Sequence, residues 1–464
     1  MKQMMRLFAF DKELFRSTSS LGTVTLFSLM LPILCESVMN QLIGTVNTAV
    51  LSGYSDEAVA AVGSANRVVN VLDLFLMVIS TGATILISKY IGANNEKKVQ
   101  ETAFSSITFS IAISGLLAPI LLIFSQHLML FMNLKGTILT QALIYFRIRV
   151  AFLFLTSVKS VLLALLRCFG FPKYTFLVGI ITNVINLLLN VYVVYLPQYS
   201  PFEGVTGISF ASITSSMVGL IVTIFVFSQK KIRIKIPSTI RDTFQYFMGI
   251  LRIGLPSALS AASFNISSML TTAFIAQSGD YALSASVYFS SILSYVYLFS
   301  ICAGQANALL IGRFFGAGEY SKADRACRQL VKLTCPVNFL ISVIVLLFRH
   351  QLLSIFTDDP HIHAIVFGVF AVDIITELAR SISHVYENAL RATEDVYFTL
   401  IVLVISCVVF GIGLSYVLVI PTGLGLLGYY LALMVDETVR GITTYFRWEW
   451  KKKKWMNAID RVQS

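Results

Sequence analysis

Long apolar runs, broken by short polar connections, fill most of this 464-residue chain. A helix needs about 20 apolar residues to cross the hydrocarbon of a bilayer. On that measure the pattern predicts twelve spans, at about 21–46, 58–88, 101–125, 138–168, 174–195, 206–228, 246–275, 281–312, 323–348, 362–391, 396–419 and 424–446. The expected fold class is all-α, a polytopic membrane protein. The polar positions inside the spans therefore carry most of the functional information.

The densest set lies in span 10, in VDIITELARSISHVYENALR from Val372 to Arg391. Asp373, Glu377, Arg380, His384, Glu387 and Arg391 step by alternating fours and threes, which places them within a wedge of roughly 80° on one helix face. A charge at mid-bilayer costs about 2.5–3.5 kcal/mol on insertion scales, so this stripe must face protein or water. Two readings follow: ion pairs that lock helices together, or the polar wall of a transport pathway. Asp436, Glu437 and Arg440 in span 12 can pair with each other or with the stripe.

A second concentration lies in the first half. Glu36, Asn40 and Asn47 share one face of span 1. Span 2 carries Asn66, Asn70 and Asp73 at helical spacing, and span 5 carries Asn183, Asn186 and Asn190. An amide in hydrocarbon needs a partner, so helix–helix hydrogen bonding is the plain reading of any one asparagine. Three converging spans with two acids point instead to a cavity, in which Glu36 and Asp73 are competing candidates for protonation, since burial favours a neutral carboxyl. In span 4, Arg147 and Arg149 read as snorkelling toward an interface, whereas Lys159 lies too far from either end for that.

The Lys and Arg residues sort with the predicted topology. Even-numbered connections and both ends of the chain are basic, from Lys2, Arg6, Lys12 and Arg16 to Lys451–Lys454, while odd-numbered ones carry acids such as Asp56, Glu203 and Asp280. By the positive-inside rule both termini are cytoplasmic, and the net charge of +11 is a topology signal rather than a nucleic-acid footprint. Trp448, Trp450 and Trp455 beside the lysine run suit an anchor at an anionic lipid surface. Mean hydropathy is +0.79 and only 13% of residues are charged, which excludes a soluble enzyme. The six cysteines show no ligand spacing, and no cleavable leader is expected. His361 and His363 beside Asp358 and Asp359 read as a solvated loop, with no metal site expected.

The two halves resemble each other. GATILISKYIGANNEKK from Gly82 meets ANALLIGRFFGAGEYSK from Ala306 at an offset of 224 residues; Leu31-Pro32 meets Leu255-Pro256, and Leu166-Arg167 meets Leu390-Arg391, at the same offset. Such a duplication is transporter architecture. It maps the chain as an amphipathic segment 1–20, a first lobe 21–228 (spans 1–6), a basic linker 229–245, a second lobe 246–446 (spans 7–12) and a basic tail 447–464. No GxxxxGKS phosphate loop, GxSxG or HExxH is present, so an ion gradient is the expected energy source and no cofactor is expected.

LP near the start of each half, the VNT of span 1, the paired IGAN and FGAG loops, RCFGFPKY, NLLLN and ALRATED together resemble the multidrug and toxic compound extrusion (MATE) family over about residues 15–446. The resemblance implies two six-helix lobes forming a V-shaped cleft, and export of amphipathic, cationic organic compounds against H⁺ or Na⁺ by alternating access. Many members have aspartate where this chain has Asn47 and Asn190. Glu377 with Arg380 matches an E-x-x-R pattern of one bacterial branch, and Asn265 stands in the region where some members have an acid. The expected coupling residues are therefore Glu377, Asp373 and Glu387, with Glu36 and Asp73 in competition. The expected cavity residues are Arg380, His384, Asn40, Asn47, Asn70, Asn186, Asn190, Asn265 and Lys159. A monomer in the bacterial cytoplasmic membrane, in contact with lipids, is expected. A lipid-linked or polysaccharide flippase is the alternative, with a membrane-embedded enzyme behind it.

Overall fold

The computed structural model describes residues 14–19, 22–52, 55–132, 134–202 and 204–463; most of the predicted N-terminal segment 1–20 lies outside them. Each expected span is a helix: Leu26–Ser52, Asp56–Gly92, Glu96–Phe131, a broken fourth span, Pro172–Tyr195, Gly204–Gln229, Ile240–Ala276, Asp280–Gly316, Tyr320–Leu347, Pro360–Ala392, Val396–Val419 and Gly425–Gln463. Among the described residues ten helices are long and apolar enough to cross a membrane, and the two halves of span 4 together make an eleventh. The last, Gly425–Gln463, carries Asp436, Glu437 and Arg440 inside its apolar part.

Four details depart from the simple pattern. Span 4 is two helices, Gly136–Ala151 and Leu153–Cys168, bent by 52° at Phe152. Span 11 passes through a π-helical stretch, Cys407–Leu414. Two short strands, β1 (Arg16–Ser19) and β2 (Gly22–Thr25), form an antiparallel hairpin with Arg16 opposite Thr25, just before span 1. Finally, the basic tail continues span 12 as one helix.

The expected lipid anchor is largely protein-bound. Trp448 is fully buried, and its indole N–H donates to Asp324 Oδ1 at 3.1 Å. Trp455 stacks on Tyr320 with ring centroids 5.5 Å apart, leaving Trp450 as the exposed member of the three. Arg447 and Lys451 reach Asp395 at 2.7 and 3.5 Å, and Lys452 reaches Asp324 at 2.8 Å. An indole and its flanking cations find better partners in the ALRATED turn and the start of span 9 than at a lipid interface, because burial of the ring adds to the hydrogen bond.

The chain forms two compact units. One comprises residues 31–90 and 95–258; its apolar core draws on Ala58, Ala61, Ala65 and Val69 of span 2 and Phe146 and Val150 of span 4. Small residues at helical spacing let backbones approach. The closest approach is at Gly254, where a Cβ would lie 1.9 Å from the carbonyl oxygen of Val78. The other unit comprises residues 1–30, 91–94 and 259–464, and its core is built on Phe289, Val366, Val369, Phe370 and Tyr430. In it span 10 packs against spans 8, 9 and 12. Leu116, Ile123, Ile221, Phe225, Phe339 and Ile405 are exposed on the flanks of their spans, as a hydrocarbon environment requires.

Candidate functional site

In the first unit, spans 1 and 5 meet along a ladder of amides. Asn40 Oδ1 accepts from Asn183 Nδ2 at 2.7 Å, and Asn47 Nδ2 donates to Asn186 Oδ1 at 2.9 Å. Asn190 Nδ2 lies 3.2 Å from Asn47 Oδ1 and 3.3 Å from Asn186 Oδ1. The rungs follow from helical spacing: positions three, four and seven apart share a face on each helix. Asn47, Asn186 and Asn190 line a cavity of about 210 Å³ with Asn66, Tyr145 and Ser212. Tyr145 donates to Asn66 at 3.0 Å, and Asn190 Oδ1 is buried without a donor.

A second cavity, about 280 Å³, lies farther along the same two spans and includes Glu36, Asn40, Lys159, Arg167, Thr182 and Asn183. Arg167 Nη2 donates to both oxygens of Glu36, at 2.8 and 2.9 Å. Thr175 Oγ1 lies 3.3 Å from Glu36 Oε2 but donates to the nearer carbonyl of Pro172, at 2.7 Å. The expected convergence of spans 1 and 5 is thus present, but span 2 contributes less than its spacing implied. Asn70 and Asp73 line neither cavity and are exposed; Asp73 lies within electrostatic reach of Arg149 and Lys159. Asn265 is likewise exposed on span 7 and lines none of these cavities. Arg147, expected to snorkel, donates from Nε to Ser125 Oγ at 2.9 Å.

In the second unit the span-10 stripe is buried against span 12. Arg380 bonds Glu377 one turn before it and reaches Glu437 Oε1 at 3.2 Å. Arg440 reaches the same oxygen at 2.6 Å and Asp436 Oδ2 at 2.9 Å. Ser383 donates to Glu437 Oε2 at 2.9 Å, and Ser406 of span 11 donates to Asp436. Glu387 pairs with Arg391, while the ring of Tyr297 in span 8 lies 5.3 Å from the guanidinium of Arg380. His384 is half-buried in the field of Glu437, Glu387, Arg380 and Arg440.

Both readings of the stripe meet here. The pairs join spans 10 and 12, yet the charges do not balance. Five carboxyls (Asp373, Glu377, Glu387, Asp436 and Glu437) face three guanidiniums (Arg380, Arg391 and Arg440). Asp373 Oδ1 and Glu377 Oε2 are buried with no hydrogen-bond partner. An unpaired charge inside protein costs several kcal/mol, so a set with surplus carboxylates takes up a cation or a proton. Asp436 also borders a void of about 20 Å³, room for a single water, flanked by Ser267, Thr271, Ser415 and Tyr429 beside the π-helical stretch. Sequence reasoning found Asp436, Glu437 and Arg440 as pairing partners but not as the centre of the network.

At the N-terminal end of span 10, Asp359 caps the helix by accepting from His361 N at 2.8 Å, and His363 Nε2 lies 3.0 Å from the carbonyl of Thr357. Those side chains serve the helix start.

Known proteins place this arrangement. The MatE family model matches residues 32–192 and again 256–417, two segments that begin 224 residues apart. The chain is 31% identical to the uncharacterized transporter YisQ of Bacillus subtilis, over 92% of this chain and 94% of that one. It is 26% identical to the probable multidrug resistance protein NorM of Thermotoga maritima, over 92% and 93%. Among solved structures, a MOP superfamily transporter from Pyrococcus furiosus shares the fold with a TM-score of 0.84 at 20% identity, covering 93% of this chain and 96% of the other. An outward-facing multidrug resistance MATE transporter matches at 0.83 with the same identity and coverage. The double match restates the internal repeat, and the chain belongs to the MatE family: it is a multi-pass membrane protein of twelve helices in two repeated lobes, a secondary transporter.

Proposed function

We propose that the protein exports amphipathic organic cations in exchange for protons, and that the carboxyl network of spans 10 and 12 carries the exchange. The observation that carries this reading is the pair of buried, partnerless carboxylate oxygens, Asp373 Oδ1 and Glu377 Oε2, next to Arg380. A proton on that pair neutralises a charge the surrounding guanidiniums leave uncompensated; its departure restores the negative site that a cation favours. The relatives named as multidrug resistance proteins support a broad organic substrate class.

Glu377 and Asp373 are the exchanging groups in this scheme, and Arg380, bridging Glu377 and Glu437, resets when the charge changes. Glu387, tied to Arg391, marks the end of the network. The protein works as a monomer in the cytoplasmic membrane, with both termini on the cytoplasmic side, as the basic connections and tail favour.

The test uses proteoliposomes carrying ethidium and an imposed pH or Na⁺ gradient. A pH gradient alone drives ethidium transport in the wild type, and Glu377→Gln, incorporated to the same level, abolishes it. Unchanged transport by that variant removes Glu377 from the mechanism, and transport driven by Na⁺ alone removes the proton.

A further inference from the structure

We propose that the second cavity of the first unit, between spans 1, 4 and 5, binds an anionic group, a carboxylate or a phosphate, held by Lys159 and Arg167. Nothing in the exchange scheme uses this cavity, and its chemistry has the opposite sign. Lys159 is half-buried in the middle of a membrane span, lines the cavity, and forms no ion pair among the described residues. The acid that shares the cavity, Glu36, is already taken by Arg167, which bonds both of its oxygens. Within the lining, two cations therefore face one committed carboxylate. Arg149 and Asp73, the next charges in reach of Lys159, cancel each other and leave that surplus in place.

Unused donors point the same way. Arg167 Nε and Thr182 Oγ1 are buried without a hydrogen-bond partner, and both residues line the cavity. A lysine built only for structure would be paired, because an unpaired ammonium in a span is costly. The space of about 280 Å³ holds several waters at ~30 Å³ each, enough for a carboxylate or phosphate with part of its hydration. Span 6 makes that room by carrying Gly219 where it faces Lys159. A Cβ there would lie 2.4 Å from Thr182 Oγ1 and 3.2 Å from Lys159 Cδ, so any side chain would displace both donors.

The probe is dansylglycine, an amphipathic carboxylate, with uncharged dansylamide as its control, titrated by fluorescence into protein held in phosphatidylcholine nanodiscs. The wild type binds dansylglycine in preference to dansylamide. Lys159→Gln weakens dansylglycine binding about tenfold or more, as loss of a charged hydrogen-bond partner does, and Lys159→Arg retains it. Equal affinity in the wild type and Lys159→Gln overturns the proposal, as does equal affinity for dansylamide. Short-chain phosphatidylglycerol and inorganic phosphate then compete for the site. Displacement by the lipid alone assigns a lipid headgroup, displacement by phosphate assigns a soluble anion, and displacement by neither contradicts an anion site. Retained binding by Lys159→Arg separates a lost contact from a lost fold. The result is independent of the exchange scheme, whose readout is gradient-driven transport rather than binding.

Discussion

Span 5 of the first lobe and span 10 of the second both carry polar side chains at intervals of three and four, yet they use them differently. Asn183, Asn186 and Asn190 bond to the amides of span 1 through neutral contacts of 2.7 to 3.3 Å, and the gaps beside them remain as two cavities of about 210 and 280 Å³. Asp373, Glu377, Arg380 and Glu387 are instead buried, the last three in ion pairs, with a water-sized void beside Asp436. Amides hold helices together without demanding a counter-ion, so space beside them costs little. A charge network tolerates no such looseness, because each unpaired member carries a desolvation penalty. The first lobe therefore keeps open space beside neutral amides, and the second keeps a closed network of charges.

The largest effect is expected at Arg380, which joins Glu377 to Glu437. Arg380→Ala strands two buried carboxylates and lowers stability by about 3–5 kcal/mol, read as a fall in thermal midpoint of the detergent-purified protein. A loss as small as that of a surface residue would show that the network is hydrated rather than closed. Next comes Arg167→Ala, which frees Glu36 at the edge of a cavity that water can enter. A cost of about 1–3 kcal/mol is expected, smaller than at Arg380 by the same assay. If the order is reversed, the contrast between the lobes fails. Asn190→Ala removes one amide from the ladder and costs about 1 kcal/mol, leaving gradient-driven export intact. Lys452→Gln, at the partly exposed pair with Asp324 and Glu449, shifts stability by only ~0–1 kcal/mol and less still in high salt.

Much of this was legible in the chain. Apolar run length located all twelve helices, and the constant offset of Pro32 and Pro256 located the repeat that the family model matches twice. The four-three spacing of span 10 identified a buried charged face because a lipid-facing one is too costly. The bend at Phe152 was hidden, since neither proline nor glycine marks it. The π-helical stretch beside Asp436 was hidden for another reason: Cys407–Leu414 is apolar at nearly every position, so a shifted turn breaks no polar pattern. Trp448 looked like a membrane anchor because aromatic residues beside lysines often are; its hydrogen bond to Asp324, 124 positions earlier, is a tertiary fact. Asn70, Asp73 and Asn265 share helical faces with plausible partners, yet spacing along one helix does not say which neighbour that face meets.

The central claim, that the span-10 network holds the exchanging proton, is tested most directly by counting protons when a cation binds. Calorimetry of ethidium binding in buffers of different ionisation enthalpy gives that count, since the observed heat then varies with the buffer in proportion to protons released. The wild type should release protons on binding, Asn190→Ala should release as many, and Glu377→Gln should release fewer or none. Proton release that is the same in Glu377→Gln as in the wild type would contradict the account.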